Sequence, residues 1–248
     1  MLNDADLIIP ACPAPANIKA LHTTRHGGVS PAPYDTLNLG MHVEDDPLNV
    51  ARNRQLLNTY VPTEPVWLNQ VHGVTVVDAG QASCVPDADA AWSQTKRAVC
   101  AVMTADCLPV LFCNREGSVV AAAHAGWRGL CDGVIEATIA AMPVPAESLL
   151  AWLGPAIGPR AFEVGAEVRQ EFISSQREAE AAFAPVDEGK WLGDIYMLAR
   201  LRLMRAGVTD IYGGGVDQDF CTYTDSERFF SFRRDGRTGR MASLIWLD

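Results

Sequence analysis

The chain has 248 residues, 48% of them hydrophobic and 20% charged, which is enough apolar side chain for a sizeable core. No run of about 18 apolar residues exists, so a membrane-spanning helix is excluded; the opening segment carries Asp4 and Asp6 where an export signal needs bases, and Pro10 breaks its apolar run. Thirty acids against twenty bases give a formal charge of −10, which repels phosphate polymers and argues against nucleic acid or a membrane as partner.

The first forty residues are rich in Pro, Gly and His and predict a short strand, Leu21 to Arg25, followed by loops. Asp46-Pro47 is an N-cap with proline in the first turn, opening a helix over Leu48 to Tyr60. Val66 to Gln70 and Val74 to Asp78 predict strands on either side of His72-Gly73. Ala98 to Thr104, Pro109 to Cys113 and Val119 to His124 are apolar without alternation, as in strands covered on both faces. Asn114 to Gly117 turns between the last two. Leu130 to Ala141 has helical periodicity and stops before Pro143, and Leu149 to Leu153 predicts a further buried strand. Two more helices are expected over Ala166 to Ser175 and from Asp194 to Ala206, the second stopped by Gly207. Val208 to Tyr212, Phe229 to Phe232 and Ala242 to Leu247 predict strands. The whole points to an α+β fold, with mixed β-sheets containing antiparallel pairs, flanked by helices, and residues 1–248 as one domain.

Seven cysteines, in no framework spacing and with no C-x-x-C pair, suit a reducing compartment and a cytoplasmic protein. Cys100 and Cys113 sit inside apolar runs, as small core residues do. Arg228, Arg233, Arg234, Arg237 and Arg240 cluster near the C-terminus; they could serve a small anionic ligand or form a solvated turn between two strands.

Three segments end an apolar run with a metal-ligating side chain and follow it within two residues by Gly or Pro: Gln70-Val71-His72-Gly73, Ala105-Asp106-Cys107-Leu108-Pro109 and Ala123-His124-Ala125-Gly126-Trp127-Arg128-Gly129. Strand ends joined to permissive loops are where a rigid scaffold builds sites. A His/Cys/His set suits zinc, and three protein ligands leave the fourth position open, as in catalytic centres. The same residues also allow a nucleophilic reading, with Cys107 as thiolate and His124 or His72 as its base.

On these three segments the chain resembles the YfiH/laccase-domain family, whose members are known as purine nucleoside phosphorylases and earlier as polyphenol oxidases. The likeness runs nearly end to end, through Thr24-Arg25 with Gly27-Gly28-Val29-Ser30, Leu37-Asn38-Leu39-Gly40, Leu153-Gly154-Pro155, Cys221-Thr222-Tyr223 and Phe230-Ser231-Phe232-Arg233-Arg234-Asp235. The resemblance implies that His72, Cys107 and His124 are both the zinc ligands and the catalytic residues. It implies phosphorolysis of adenosine, inosine, guanosine and methylthioadenosine, with deamination of adenosine. It also leaves a cysteine hydrolase or amidase, editing peptidoglycan precursors with Cys107 as nucleophile, and a metal-binding regulator without turnover. Copper is the alternative metal; a multicopper centre needs a histidine-rich array, and the chain has only His22, His26, His42, His72 and His124.

For a purine nucleoside and phosphate as substrates, the residues expected at the substrate are Arg25, His42, Gln70 and Arg128. Arg128, just before the helix expected at Leu130, would make an anion site with that helix N-terminus, or else pair with an acid. Arg25 beside Gly27-Gly28 is the second cation. His42 either contacts substrate or lies on the surface, and Asp106 or Glu163 is the expected proton carrier for deamination. The sequence sets no oligomeric state.

Overall fold

The computed structural model describes residues 2–82, 84–214 and 220–248. The first half contains β1 (Leu7–Ile8), β2 (Ile18–Thr23), α1 (Pro47–Leu57), β3 (Val76–Asp78), β4 (Ala90–Ser93), β5 (Cys100–Thr104), β6 (Leu108–Asn114) and β7 (Val120–Ala125). Then follow α2 (Trp127–Asp132), α3 (Val134–Ala141), β8 (Leu149–Leu153), β9 (Glu163–Gly165) and α4 (Ala166–Ser175). The last third adds β10 (Phe183–Pro185), β11 (Lys190–Gly193), α5 (Ile195–Arg205), β12 (Asp210–Gly213), α6 (Phe232–Asp235) and β13 (Met241–Leu247).

The strands form a six-stranded sheet in the order β12-β8-β6-β7-β4-β3, a four-stranded sheet β1-β2-β13-β5 and a small sheet β10-β11-β9. Only the β12–β8 and β3–β4 pairs are parallel; the other pairs are antiparallel, so the six-stranded sheet is mixed. The fold is thus α+β. The two larger sheets pack face to face. Val102, Met241 and Ile245 of one interdigitate with Leu111, Cys113, Val120, Ala122, Leu150 and Trp152 of the other. Outside the six-stranded sheet, Val110, Phe112, Ala121 and Ala123 pack against Leu130, Ile135, Phe172 and Leu203 from α2 to α5. Outside the four-stranded sheet, Ala101, Met103, Leu244 and Trp246 pack against Leu57 of α1 and the Leu37–Leu39 loop. Both faces of β5, β6, β7, β8 and β13 are therefore buried, which is why their sequences do not alternate.

Helix signals held where caps were explicit. Asp46 accepts from the Leu48 N–H, and Asp194 accepts from the Met197 N–H, starting α1 and α5. Three expectations need correction. The helix expected over Leu130 to Ala141 starts at Trp127 and is two helices, because Gly133 (φ +104°) caps the first in a left-handed conformation. Val66 to Gln70 makes only isolated bridges, at Val66 and Asn69; the Gln70 side-chain amide, not its backbone, pairs with the backbone of Met103 on β5. Phe229 to Phe232 is no strand: Ser231 accepts from the Arg234 N–H and starts the single turn α6.

Candidate metal centre

The site lies at one end of the two-sheet sandwich, and strand register assembles it. β6 and β7 pair with Pro109 opposite His124 and Leu108 opposite Ala125, so Cys107 falls opposite Gly126. Side chains alternate along a strand, so His124 projects on the same face as Ala122 and Val120, into the space between the sheets. On the other side of β7, Ala90 of β4 pairs with Ala123, and the His124 N–H donates to the Asp89 carbonyl at 2.7 Å. Asp89 and His124 are thus direct cross-strand neighbours, with side chains in contact.

That contact organises the centre. Asp89 is wholly buried. One carboxylate oxygen accepts from His124 Nδ1 at 2.8 Å and from the His72 N–H at 2.9 Å; the other accepts from the N–H groups of Gly73 (2.7 Å) and Val71 (3.2 Å). Burial would raise this carboxyl, but the bonds from His124 and the loop amides hold it below the ordinary carboxylate range. The bonds to the loop fix His72 at φ +60°, a left-handed conformation sparsely populated by non-glycine residues. The bond to Nδ1 leaves His124 Nε2 as its free ligand atom.

One ligand atom each from His72, Cys107 and His124 lies within 4.8 Å of the others. Cys107 Sγ is 3.8 Å from His72 Nε2, and the two imidazole rings meet edge to face with centroids 4.8 Å apart. Around a tetrahedral ion with bonds of ~2.0–2.3 Å, neighbouring N and S ligand atoms stand roughly 3.3–3.6 Å apart. A small inward movement therefore suffices, and the N, S, N donor set suits a borderline-soft divalent ion. Gly126 leaves room for it: a Cβ there would come within 2.9 Å of the His72 ring and 3.0 Å of Cys107 Sγ.

The Cys107 thiol would be raised by burial, but the charge and hydrogen bonds of His124, and then those of His72, override burial and lower it. His124 is correspondingly raised despite burial, by the Cys107 thiolate and by Asp89. Cys100 and Cys113 are pushed up by burial in the core; Cys113 reaches about 12.

Two cavities meet at Cys107 and Phe232. One, of about 280 Å³, is bordered by the three ligand residues with His42, Gln70, Thr104 and Arg240. The other, of about 170 Å³, is bordered mainly by Trp127, Ile157, Phe162, Ile195 and Arg233. Of the polar residues expected at the substrate, His42 and Gln70 lie on the first cavity. Both ends of the Gln70 amide are engaged by Met103. Burial, and then Arg240 and Arg54, lowers the pKa of His42. Arg25 lies elsewhere: it bonds the Asp35 and Ser226 carbonyls, pairs with the Asp35 carboxylate at 3.3 Å and stacks over Phe230. Arg128 is exposed, lies over Trp127 and borders a separate open groove with Asp132, Glu167 and Glu171.

Asp106 (φ +96°) accepts from the Thr222 hydroxyl and the Arg233 N–H, tying the Cys107 turn to α6. Glu163 pairs with Lys190 on the small sheet. Asp89 is the functional residue that sequence reading missed. Its signal was an acid set directly before the apolar run Ala90-Ala91-Trp92, a buried position an acid occupies only when paired.

The fold and site define an α+β protein with a His/Cys/His candidate metal centre at the mouth of two cavities. The chain belongs to the family described as multi-copper polyphenol oxidoreductase laccase, whose pattern matches residues 19–248. Purine nucleoside phosphorylase PA4543 of Pseudomonas aeruginosa is 57% identical over 242 residues, covering 97% of this chain and 98% of that protein. Purine nucleoside phosphorylase YfiH of Escherichia coli is 56% identical over 244 residues, with 97% and 98% covered. The crystal structure of Neisseria meningitidis protein NMB0706 superposes with a TM-score of 0.95 at 54% identity, over 98% of this chain and 99% of that one. YlmD from Geobacillus stearothermophilus superposes at 0.89 with 29% identity, over 100% and 98%. Among the described residues no helix is long and apolar enough to cross a membrane.

Proposed function

We propose that this chain is a zinc-dependent purine nucleoside phosphorylase acting on adenosine, inosine, guanosine and methylthioadenosine, in the cytoplasm. The observation that carries the reading is the convergence of His72, Cys107 and His124 beside a cavity, in a chain more than half identical to proteins named for this activity. In the reaction a phosphate oxygen bonds to C1′ of the ribose as the C1′–N9 bond breaks. The bonding pair passes to the purine, which takes up a proton, and ribose 1-phosphate remains. A bound zinc would supply Lewis acidity and positive charge at the cavity wall.

The chain's own residues prepare that chemistry. Asp89 orients His124 and holds the His72 loop. Cys107 sits as a thiolate where the polar and apolar cavities meet, so a nucleoside lying across Phe232 would present its base to one and its sugar to the other. His42 and Gln70 border the substrate in this reading; Arg25 and Arg128 do not. Deamination of adenosine, in which water adds at C6 and ammonia leaves, would use the same site.

Purified protein incubated with inosine should release hypoxanthine and ribose 1-phosphate only when phosphate is present. Base release independent of phosphate would refute phosphorolysis. A second reading draws on the 3.8 Å Cys107–His72 contact and the lowered thiol: a cysteine hydrolase acting on a peptidoglycan precursor. Amino-acid release from a muramyl peptide, surviving chelation and abolished by Cys107→Ala, would favour it.

A further inference from the structure

The five arginines near the C-terminus do not behave alike. Arg228 pairs with Asp225, Arg234 with Asp235 and Arg237 with Glu44. Arg233 donates from its side chain to the Glu163 carbonyl and borders the apolar cavity. Arg240 has no carboxylate partner among the described residues. One guanidinium nitrogen donates to the Thr238 and Gly239 carbonyls, and its backbone N–H to the Asn38 side chain. The chain approaches so closely that a Cβ on Gly40 would strike the Arg240 side chain at 2.8 Å. The guanidinium is thus anchored at one nitrogen, partly buried, and set on the wall of the 280 Å³ cavity beside the metal ligands.

Burial disfavours the Arg240 charge, and the nearest negative groups, Cys107 and Asp106, act on it without forming an ion pair. Several other arginines, Arg25, Arg169 and Arg202 among them, pair directly with carboxylates, which Arg240 does not do among the described residues. Among the described residues no carboxylate borders the cavity. Its polar wall offers His42 as a further donor, and Thr104, whose buried hydroxyl has no hydrogen-bond partner among the described residues. An arginine fork, an imidazole and an unpaired hydroxyl, with no carboxylate among the described lining residues, are what a tetrahedral oxyanion needs.

We propose that Arg240, with His42 and the Thr104 hydroxyl, forms the binding site for inorganic phosphate, a position that sequence alone would give to Arg128. The inference rests on the phosphorolysis reading for its meaning but not for its test. Phosphate enters between the metal ligands and Arg240, and the guanidinium nitrogens left free by the carbonyl anchor grip two of its oxygens.

The test is calorimetric titration of zinc-loaded protein with inorganic phosphate alone, without nucleoside, on wild type, Arg240→Gln, Arg240→Lys and Arg128→Ala. Losing a charge-assisted fork weakens binding about 10- to 100-fold. That loss is expected for Arg240→Gln, with Arg240→Lys intermediate and Arg128→Ala unchanged. Circular dichroism and zinc content verify the folds; if Arg240→Gln does not fold, the lysine variant, which keeps the charge and loses the fork, carries the test. In turnover, the KM for phosphate should rise in Arg240→Lys more than the KM for inosine. Phosphate binding untouched by the folded Arg240 variants, weakened by Arg128→Ala instead, or absent from wild type would overturn the proposal. Arg240-dependent phosphate binding without phosphorolysis would leave the site standing and remove the enzyme reading.

Discussion

Asp89→Asn isolates the group that serves two of the three ligand segments. The asparagine keeps the side-chain shape and one acceptor oxygen, but its other terminal atom becomes a donor. If the retained oxygen serves His124 and His72, the new NH2 faces the N–H groups of Gly73 and Val71, which the carboxylate now accepts at 2.7 and 3.2 Å. Hydrogen bonds to a charged acceptor contribute about 1.5–3 kcal/mol each. Two lost bonds, one of them long, together with the lost charge opposite His124, correspond to roughly 3–5 kcal/mol of stability. Because the His72 loop loses two of its tethers and His124 loses the charge opposite it, zinc affinity should fall about 10- to 100-fold. Urea unfolding of the metal-free protein measures the first quantity, and competition with a chromogenic chelator the second. The pH dependence has a definite sign. The folded carboxyl is held below its unfolded value of about 3.9, so its contribution is present above that pH and is lost as pH falls toward the folded pKa. The gap between wild type and variant should therefore close in acid. A folded Asp89→Asn protein with wild-type zinc affinity would refute the reasoning.

In the protein stripped by chelator, Cys107 should alkylate with a midpoint near its lowered pKa of about 6, while buried Cys100 and Cys113 stay inert; an ordinary thiol profile would contradict the coupling to His124 and His72. Gly126→Ala should fold but lose most of its zinc, because the added methyl meets the His72 ring and Cys107 Sγ; metal content by atomic absorption would reveal retention if the packing account is wrong. His22 is fully buried between Trp152 and Phe229, with its pKa pushed down to about 3 by burial. Its unfolded form protonates near pH 6.5, so stability falls as pH drops from there toward about 3, by on the order of 4 kcal/mol. In His22→Phe that acid slope should flatten, and urea midpoints measured between pH 7 and 4 would expose an unchanged slope.

The strands that carry the centre were legible because burial on both faces leaves a plain mark: Cys100 to Thr104 and Val120 to Ala125 are apolar without interruption. Caps were equally plain at Asp46 and Asp194. Gly133 was not, because apolar spacing continues across the break from Leu130 to Ile139 while only the backbone changes hand. The small sheet escaped notice because Phe183–Pro185 and Lys190–Gly193 are short and largely exposed, with too little apolar sequence to signal a strand. At Phe229 to Phe232 an aromatic run looked like a strand, yet Ser231 turned it into a helix start. The three ligand side chains could be named from their segments. Asp89 could not be paired with them, since its link to His124 comes from strand register, which no local spacing encodes. Arg240 was hidden among four neighbours of the same type; carboxylate pairing sets aside Arg228, Arg234 and Arg237, and only its place on the metal-side cavity separates it from Arg233.

The sharing of a single Asp89 oxygen between the His72 amide and the His124 ring bears on how an ion would leave. The His124 ring cannot swing outward without breaking its bond to the oxygen that also holds the His72 backbone. Release would then be a concerted opening of loop and strand end, with a steep activation barrier, and exchange with free ions in solution would be slow even where equilibrium affinity is modest.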